Sequence, residues 1–141
     1  MTIEEIEALI SPARLRELHA AAIAAHGGLA GERVATCVEG VVGNAVSNCL
    51  YAAAESGSDL DPLCFLAHLM RGLNGGHCFN DGNKRITWMV VDEVLLQLGL
   101  EVVAEQDEAA LFVRTIATER LTPQAIIEWF LDGRIGVRGP A

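Results

Sequence analysis

Three features of the chain predict an all-α domain. Proline follows a capping residue at Ser11-Pro12, Asp61-Pro62 and Thr122-Pro123, where a helix has no intrahelical acceptor for the missing proline N–H. Apolar residues then recur three and four apart, as in Leu15, Leu18, Ala22 and Ile23, or Leu63, Leu66, Ala67, Met70 and Leu73, the spacing of one buried helical face. Strand-like stretches are few beyond Leu100 to Val103. The expectation is a single compact helical domain of six or seven helices around a central hydrophobic helix.

Each element has its own punctuation. Thr2 and Glu5 make a capping box ahead of Ile3, Ile6 and Leu9, and so begin a first helix. A second runs from Ser11-Pro12 to the stop at Gly27-Gly28. The stretch 32–46 reads as helix, weakened by Gly40 and Gly43. Residues 47–60, small and polar with Tyr51 as their aromatic, read as a partly irregular loop. Asp61-Pro62 opens a helix that ends at Gly75-Gly76. The run from Asn83 to Leu98 is apolar almost all round through Ile86, Trp88, Met89, Val90, Val91, Val94 and Leu95, as a central helix must be. Gly99 stops it. Another helix starts at Asp107 or Glu108 and continues through Ala117, and a last one runs from Thr122-Pro123 to near Gly133. Residues 1–133 are thus expected to form the domain and 134–141 a loose tail.

Composition narrows the function. With 141 residues and 51% hydrophobic content, the chain can bury a sizeable core, which excludes a disordered protein. Its net charge of -9 repels phosphate backbones and argues against nonspecific nucleic-acid binding. No stretch approaches the ~18 uninterrupted apolar residues of a membrane span. The acidic start, Met1-Thr2-Ile3-Glu4-Glu5, has no cationic leader, so a cytoplasmic location is expected. The four cysteines, Cys37, Cys49, Cys64 and Cys78, form no close pairs of the zinc-binding kind, and buried thiols in a reducing compartment are expected.

One segment stands apart: His77-Cys78-Phe79-Asn80-Asp81-Gly82-Asn83-Lys84-Arg85 is polar, contains a turn signal, and feeds into the most hydrophobic helix. The first-turn N–H groups of that helix lack internal partners and carry the positive end of its dipole, so they can hold an anion. Gly82 permits close approach. Lys84 and Arg85 add a mobile point charge and a planar fork suited to phosphate oxygens. The chain has nine arginines and a single lysine, Lys84. A local cationic site in an acidic domain points to a small phosphorylated ligand. Asp81 supplies a hard oxygen for Mg2+, although it could also be a plain turn residue before glycine. His77 can accept a hydroxyl proton, since imidazole is the side chain that ordinarily titrates nearest neutrality. Phe79 is expected to anchor the loop in the core. His19, His26 and His68 read as packing or surface residues, Trp88, Met89 and Val90 as core, and Tyr51 as packing. The parts suit phosphoryl or nucleotidyl transfer.

This nine-residue segment resembles the Fic/Doc signature, His-(Pro)-Phe-x-Asp/Glu-Gly/Ala-Asn-Gly/Lys-Arg, at the start of a central helix. Lys84 in place of the last glycine resembles the Doc branch, the toxin halves of Phd/Doc toxin-antitoxin modules. Ile10-Ser11-Pro12, Leu18-His19 and His26-Gly27-Gly28-Leu29 are similar to the opening of Doc toxins. The sequence departs from the pattern at Cys78, where many members have proline, and at Ile86, where threonine is common. The resemblance implies a Fic/Doc-like domain over residues 1–133 that uses ATP and Mg2+. By the motif match, His77 is the general base, Asp81 the Mg2+ ligand, and Gly82, Asn83, Lys84 and Arg85 the phosphate anion hole. A Doc-like toxin would move the γ-phosphate of ATP to a protein hydroxyl, a threonine of elongation factor Tu, and arrest translation under control of a Phd-like antitoxin. The alternatives on this scaffold are an AMP transferase and a catalytically inactive interaction domain.

Overall fold

The computed structural model describes residues 1–139. Seven helices and one small two-stranded sheet follow in the order α1 (Ile3–Glu7), α2 (Pro12–His26), α3 (Cys37–Ser56), α4 (Pro62–Gly76), α5 (Asn83–Gln97), β1 (Leu100–Val102), α6 (Gln106–Thr118), α7 (Pro123–Leu131) and β2 (Ile135–Val137). The all-α expectation holds. So do four of the starts read from the sequence: Thr2 and Glu5 exchange both bonds of a capping box, and Ser11, Asp61 and Thr122 each accept from a backbone N–H of the helix that follows.

The centre is shared by two helices. In α4, Phe65, Leu66, Leu69, Met70 and Leu73 are buried, and the helix packs against α3, α5, α6 and α7. In α5, Ile86, Val90, Val91, Val94 and Leu95 are buried, whereas Asp92, Leu96 and Gln97 face outward, so α5 is less enclosed than its apolar sequence suggests. Phe112 stacks on Trp129 with ring centroids 3.9 Å apart and closes the α6–α7 side.

Three expectations are corrected. The helix expected over 32–46 starts later, at Cys37, and runs on to Ser56, through the segment read as an irregular loop. Ala52, Ala53 and Ala54 sustain it by propensity, and Gly57 ends it in the left-handed conformation at φ 65°. Its exposed side carries Tyr51, 68% accessible, so this ring is a surface group and not a packing one. The tail expected to be loose from 134 is pinned at Ile135–Val137, which pairs antiparallel with β1 through Val137 opposite Leu100 and Ile135 opposite Val102. The last two tail positions, 140–141, lie outside the described residues. Finally, Cys37 and Cys78 are joined in a disulfide where thiols were expected; Cys49 and Cys64 are buried thiols as anticipated. Spacing cannot reveal this pair, because 41 residues separate its members. No helix among the described residues is long and apolar enough to cross a membrane.

Candidate active site

The predicted motif occupies the turn between the two central helices. α4 ends at Gly76, and His77 caps it in the left-handed conformation, φ 47° and ψ 51°, a conformation that turns the chain sharply out of the helix. His77 is exposed. The chain then runs antiparallel to the 29–33 loop. Arg33 N–H donates to the Cys78 carbonyl at 2.7 Å, Asn80 N–H donates to the Gly31 carbonyl at 3.1 Å, and Glu32 pairs with Phe79 between them. Arg16 holds that loop from α2 by donating to Glu32 Oε1 at 2.7 Å.

Phe79 anchors the turn as expected: it is buried and stacks on His19 at a centroid distance of 3.7 Å. Asn83 staples the turn onto α5. Its Oδ1 accepts from Phe79 N–H at 3.2 Å, and its Nδ2 donates to the Phe79 carbonyl at 3.0 Å. The Asn83 side chain is therefore committed, and this residue can serve an anion only through its backbone N–H.

Asp81 is fixed from three sides. Gly82 N–H donates to Oδ1 at 2.8 Å, Leu29 N–H reaches Oδ2 at 3.4 Å, and His19 Nε2 lies 2.8 Å from the Asp81 carbonyl. A carbonyl only accepts, so that histidine nitrogen carries the proton. Gly28 explains how the carboxylate comes so close to the α2 end: at φ 115°, a Cβ there would sit 2.8 Å from Asp81 Oδ2. Any side chain at position 28 would displace the carboxylate.

The start of α5 is unusual in two respects. Gly82, at φ 76°, caps it without any side-chain hydrogen bond, and the first intrahelical bond is donated by Ile86 to the Gly82 carbonyl. The N–H groups of Asn83, Lys84 and Arg85 are thus left to an outside acceptor. Lys84 and Arg85 are exposed and enter no ion pair among the described residues, unlike Arg14, Arg16 and Arg134. Two unneutralised cations beside the positive end of a helix cost free energy. An anion reverses the sign.

These groups border a cleft of about 530 Å3, lined by His77, Asp81, Gly82, Asn83, Lys84 and Arg85 together with His26, Gly28 and Asn74. All six predicted site residues thus meet in one concavity. The site fits Mg2+ carried by a polyphosphate and does not fit a metal held by protein alone. The described residues hold no group of three or more carboxylate, imidazole or thiol ligands. Asp81 offers one carboxylate, and Mg2+ commonly takes one or two carboxylates plus phosphate oxygens.

Some residues were missed in the sequence. His19 is a buried member of the site's framework, and His26 lines the cleft at the end of α2. The Leu18-His19 and Gly27-Gly28 stretches carried a signal, since both belong to the second resembling segment, but no spacing says that they meet a turn some 50 to 60 residues later. Asn74 is buried, donates to the Met70 carbonyl at 2.8 Å, and finds no partner for its Oδ1 among the described residues. Trp88 and Met89, expected in the core with Val90, are half-buried and line a second groove of about 660 Å3 on the α6 side of Lys84 and Arg85.

Two comparisons bear on identity. No protein of curated function matches the chain. The profile of the Fic/DOC family matches residues 9–95, which takes in both resembling segments, the whole motif turn and most of α5. The chain belongs to the Fic/DOC family.

Proposed function

We propose that this protein is a Doc-like toxin that transfers the γ-phosphate of ATP to a hydroxyl of a protein acceptor. The observation that carries the reading is the α5 start, an uncapped helix N-terminus with two unpaired cations facing a cleft that also contains an exposed histidine. Backbone N–H groups at 83–85, Lys84 and Arg85 hold the phosphate oxygens. Asp81, already oriented by Gly82 and Leu29 N–H, holds Mg2+. The metal, when bound, neutralises charge on the phosphate oxygens. His77 takes the proton from the acceptor hydroxyl as its oxygen forms a bond to phosphorus, the bond from phosphorus to the bridging oxygen breaks, and ADP leaves. The exposure of His77 lets a protein-borne hydroxyl reach it. Lys84, in place of the glycine of the adenylyl-transferring pattern, favours presentation of the terminal phosphate.

A threonine of elongation factor Tu in the cytoplasm is the proposed acceptor, and a Phd-like antitoxin whose disordered tail folds on the domain is the proposed partner. Intact mass of elongation factor Tu after incubation with ATP and Mg2+ tests this. One added phosphate, absent with His77→Ala, is the expected result. One added adenylate would replace the kinase reading with AMP transfer. ATP binding with no modified acceptor, and no growth arrest on expression, would leave an interaction domain.

A further inference from the structure

The Cys37–Cys78 bridge lies against the site, and phosphoryl transfer as described makes no use of it. Cys78 directly follows His77 and is completely buried. Cys37 is the first residue of α3 and reaches the surface in part. The bridge packs against the last residue of α4, since a Cβ on Gly76 would stand 3.5 Å from Cys37 Sγ and 3.7 Å from Cys78 Sγ.

The holds along the turn are uneven. Phe79 is held by Asn83 and His19, Asn80 by Gly31, and Asp81 by Gly82, Leu29 and His19. Among the described residues, no side-chain or capping hydrogen bond holds His77. It follows Gly75 and Gly76, the two residues least able to restrict a backbone, and adopts a left-handed conformation that a non-glycine residue enters at a cost. Its one firm neighbour is Cys78, held by the Arg33 bond and by the disulfide.

We propose that the Cys37–Cys78 bond is a reversible thiol–disulfide exchange site that fixes His77, so that a dithiol reductant switches off group transfer while leaving the nucleotide cradle intact. A thiolate of the reductant attacks Cys37 Sγ, since Cys37 is the less buried of the two residues. The S–S bond breaks and Cys78 leaves as thiolate and takes up a proton. The reductant's second thiol displaces Cys37, which is also protonated, and closes the reductant's own disulfide. Two electrons and two protons pass from the dithiol to the protein. The other thiols stay out of this exchange: Cys49 Sγ donates to the Asp61 carbonyl at 3.4 Å, and burial pushes the Cys64 thiol up to about 11, so neither supplies a thiolate near neutrality. The effect on transfer rests on the function proposed above; the exchange and the loosening of His77 do not.

The test uses the full chain purified without reductant. Alkylation after denaturation, read by intact mass, is expected to add two groups, and four after prior treatment with dithiothreitol. Hydrogen exchange on the folded chain is expected to rise at least tenfold at residues 75–78 on reduction and to change less than twofold at 82–86. Phosphoryl or adenylyl transfer is expected to fall about tenfold, with the dissociation constant for ATP·Mg2+ changed less than twofold. Cys37→Ser should match the reduced wild type and ignore reductant, and a Cys49→Ser, Cys64→Ser double variant should keep the response. Four groups added without reductant, or equal exchange at 75–78 in both states, overturns the proposal. Because alkylation and exchange need no activity, a chain that transfers nothing refutes the proposed function and still decides this one.

Discussion

Asp61 closes the start of α4 by accepting from Leu63 N–H at 2.9 Å, with Pro62 removing a further donor, whereas Gly82 leaves the start of α5 open. The two helices are equally long and share the core, so length and burial do not explain the difference. Two other helices also lack a side-chain cap, but α3 carries Glu39 in its first turn and α6 carries Asp107 and Glu108, charges that favour the dipole. α5 has no acid there and places Lys84 and Arg85 in the same turn. Elsewhere in the fold a capping side chain or a first-turn acid offsets the helix start. At α5 neither device is present, so its first-turn N–H groups and two cations raise the free energy of the ligand-free protein, the cost that the proposed phosphate ligand would reverse.

That contrast can be broken at its strongest point first. His77→Ala is expected to lower transfer about a hundred- to ten-thousandfold, the range for loss of a general base, while ATP·Mg2+ titrated by calorimetry binds as before; lost binding would place His77 in the cradle instead. Next comes the framework. His19→Ala strips the Asp81 carbonyl of its partner and leaves a hollow beside Phe79, which should lower stability by about 2–4 kcal/mol in urea unfolding. His19→Gln, which keeps a donor, should recover part of both stability and nucleotide binding. A merely apolar role would give no such rescue.

Lys84→Ala and Arg85→Ala sharpen the comparison because two measurements should move in opposite directions. Each is expected to weaken ATP binding by about 1.5–3 kcal/mol, roughly ten- to 150-fold, and to stabilise the ligand-free protein by roughly 0.3–1 kcal/mol in thermal unfolding. Ser11→Ala at the start of α2 should do the reverse, losing about 1 kcal/mol of stability with nucleotide affinity unchanged. Destabilisation by the Lys84 and Arg85 changes would mean that these side chains serve the fold.

The smallest effect is a pH dependence away from the site. Burial, with Arg71 nearby, holds His68 below its ordinary 6.5. Below about 6.5 the unfolded chain therefore takes up the proton more readily than the folded one, so this group's contribution to stability is present above that pH and lost as pH falls through the folded value. Replacing it in His68→Gln should flatten the stability profile between pH 7 and 5, read by unfolding midpoints at each pH.

Much of the fold was legible in the sequence because helix ends are local. Thr2, Ser11, Asp61 and Thr122 act on N–H groups two or three residues away, and Gly57 and Gly99 adopt left-handed conformations within their own backbone. The middle of α3 was less legible, since its small and polar residues give no apolar stripe and its helix is maintained by alanine propensity and packing on α4. The tail is illegible for a related reason: a three-residue strand is stable only against its partner, and β1 lies more than thirty residues upstream.

The candidate site divides along the same line. The nine consecutive residues of the motif could be read directly, because the histidine, the carboxylate and the cations are neighbours in the chain, and their order around a glycine before an apolar run marks the helix start proposed to hold phosphate. What the tertiary structure alone decided is how that turn is held: His19 beneath Asp81, Gly28 admitting the carboxylate, Asn83 turned back onto Phe79, and Cys37 joined to Cys78. Hydrogen bonds, close approaches and a covalent bridge between distant residues depend on which surfaces the packed helices bring together, and no local pattern encodes that meeting.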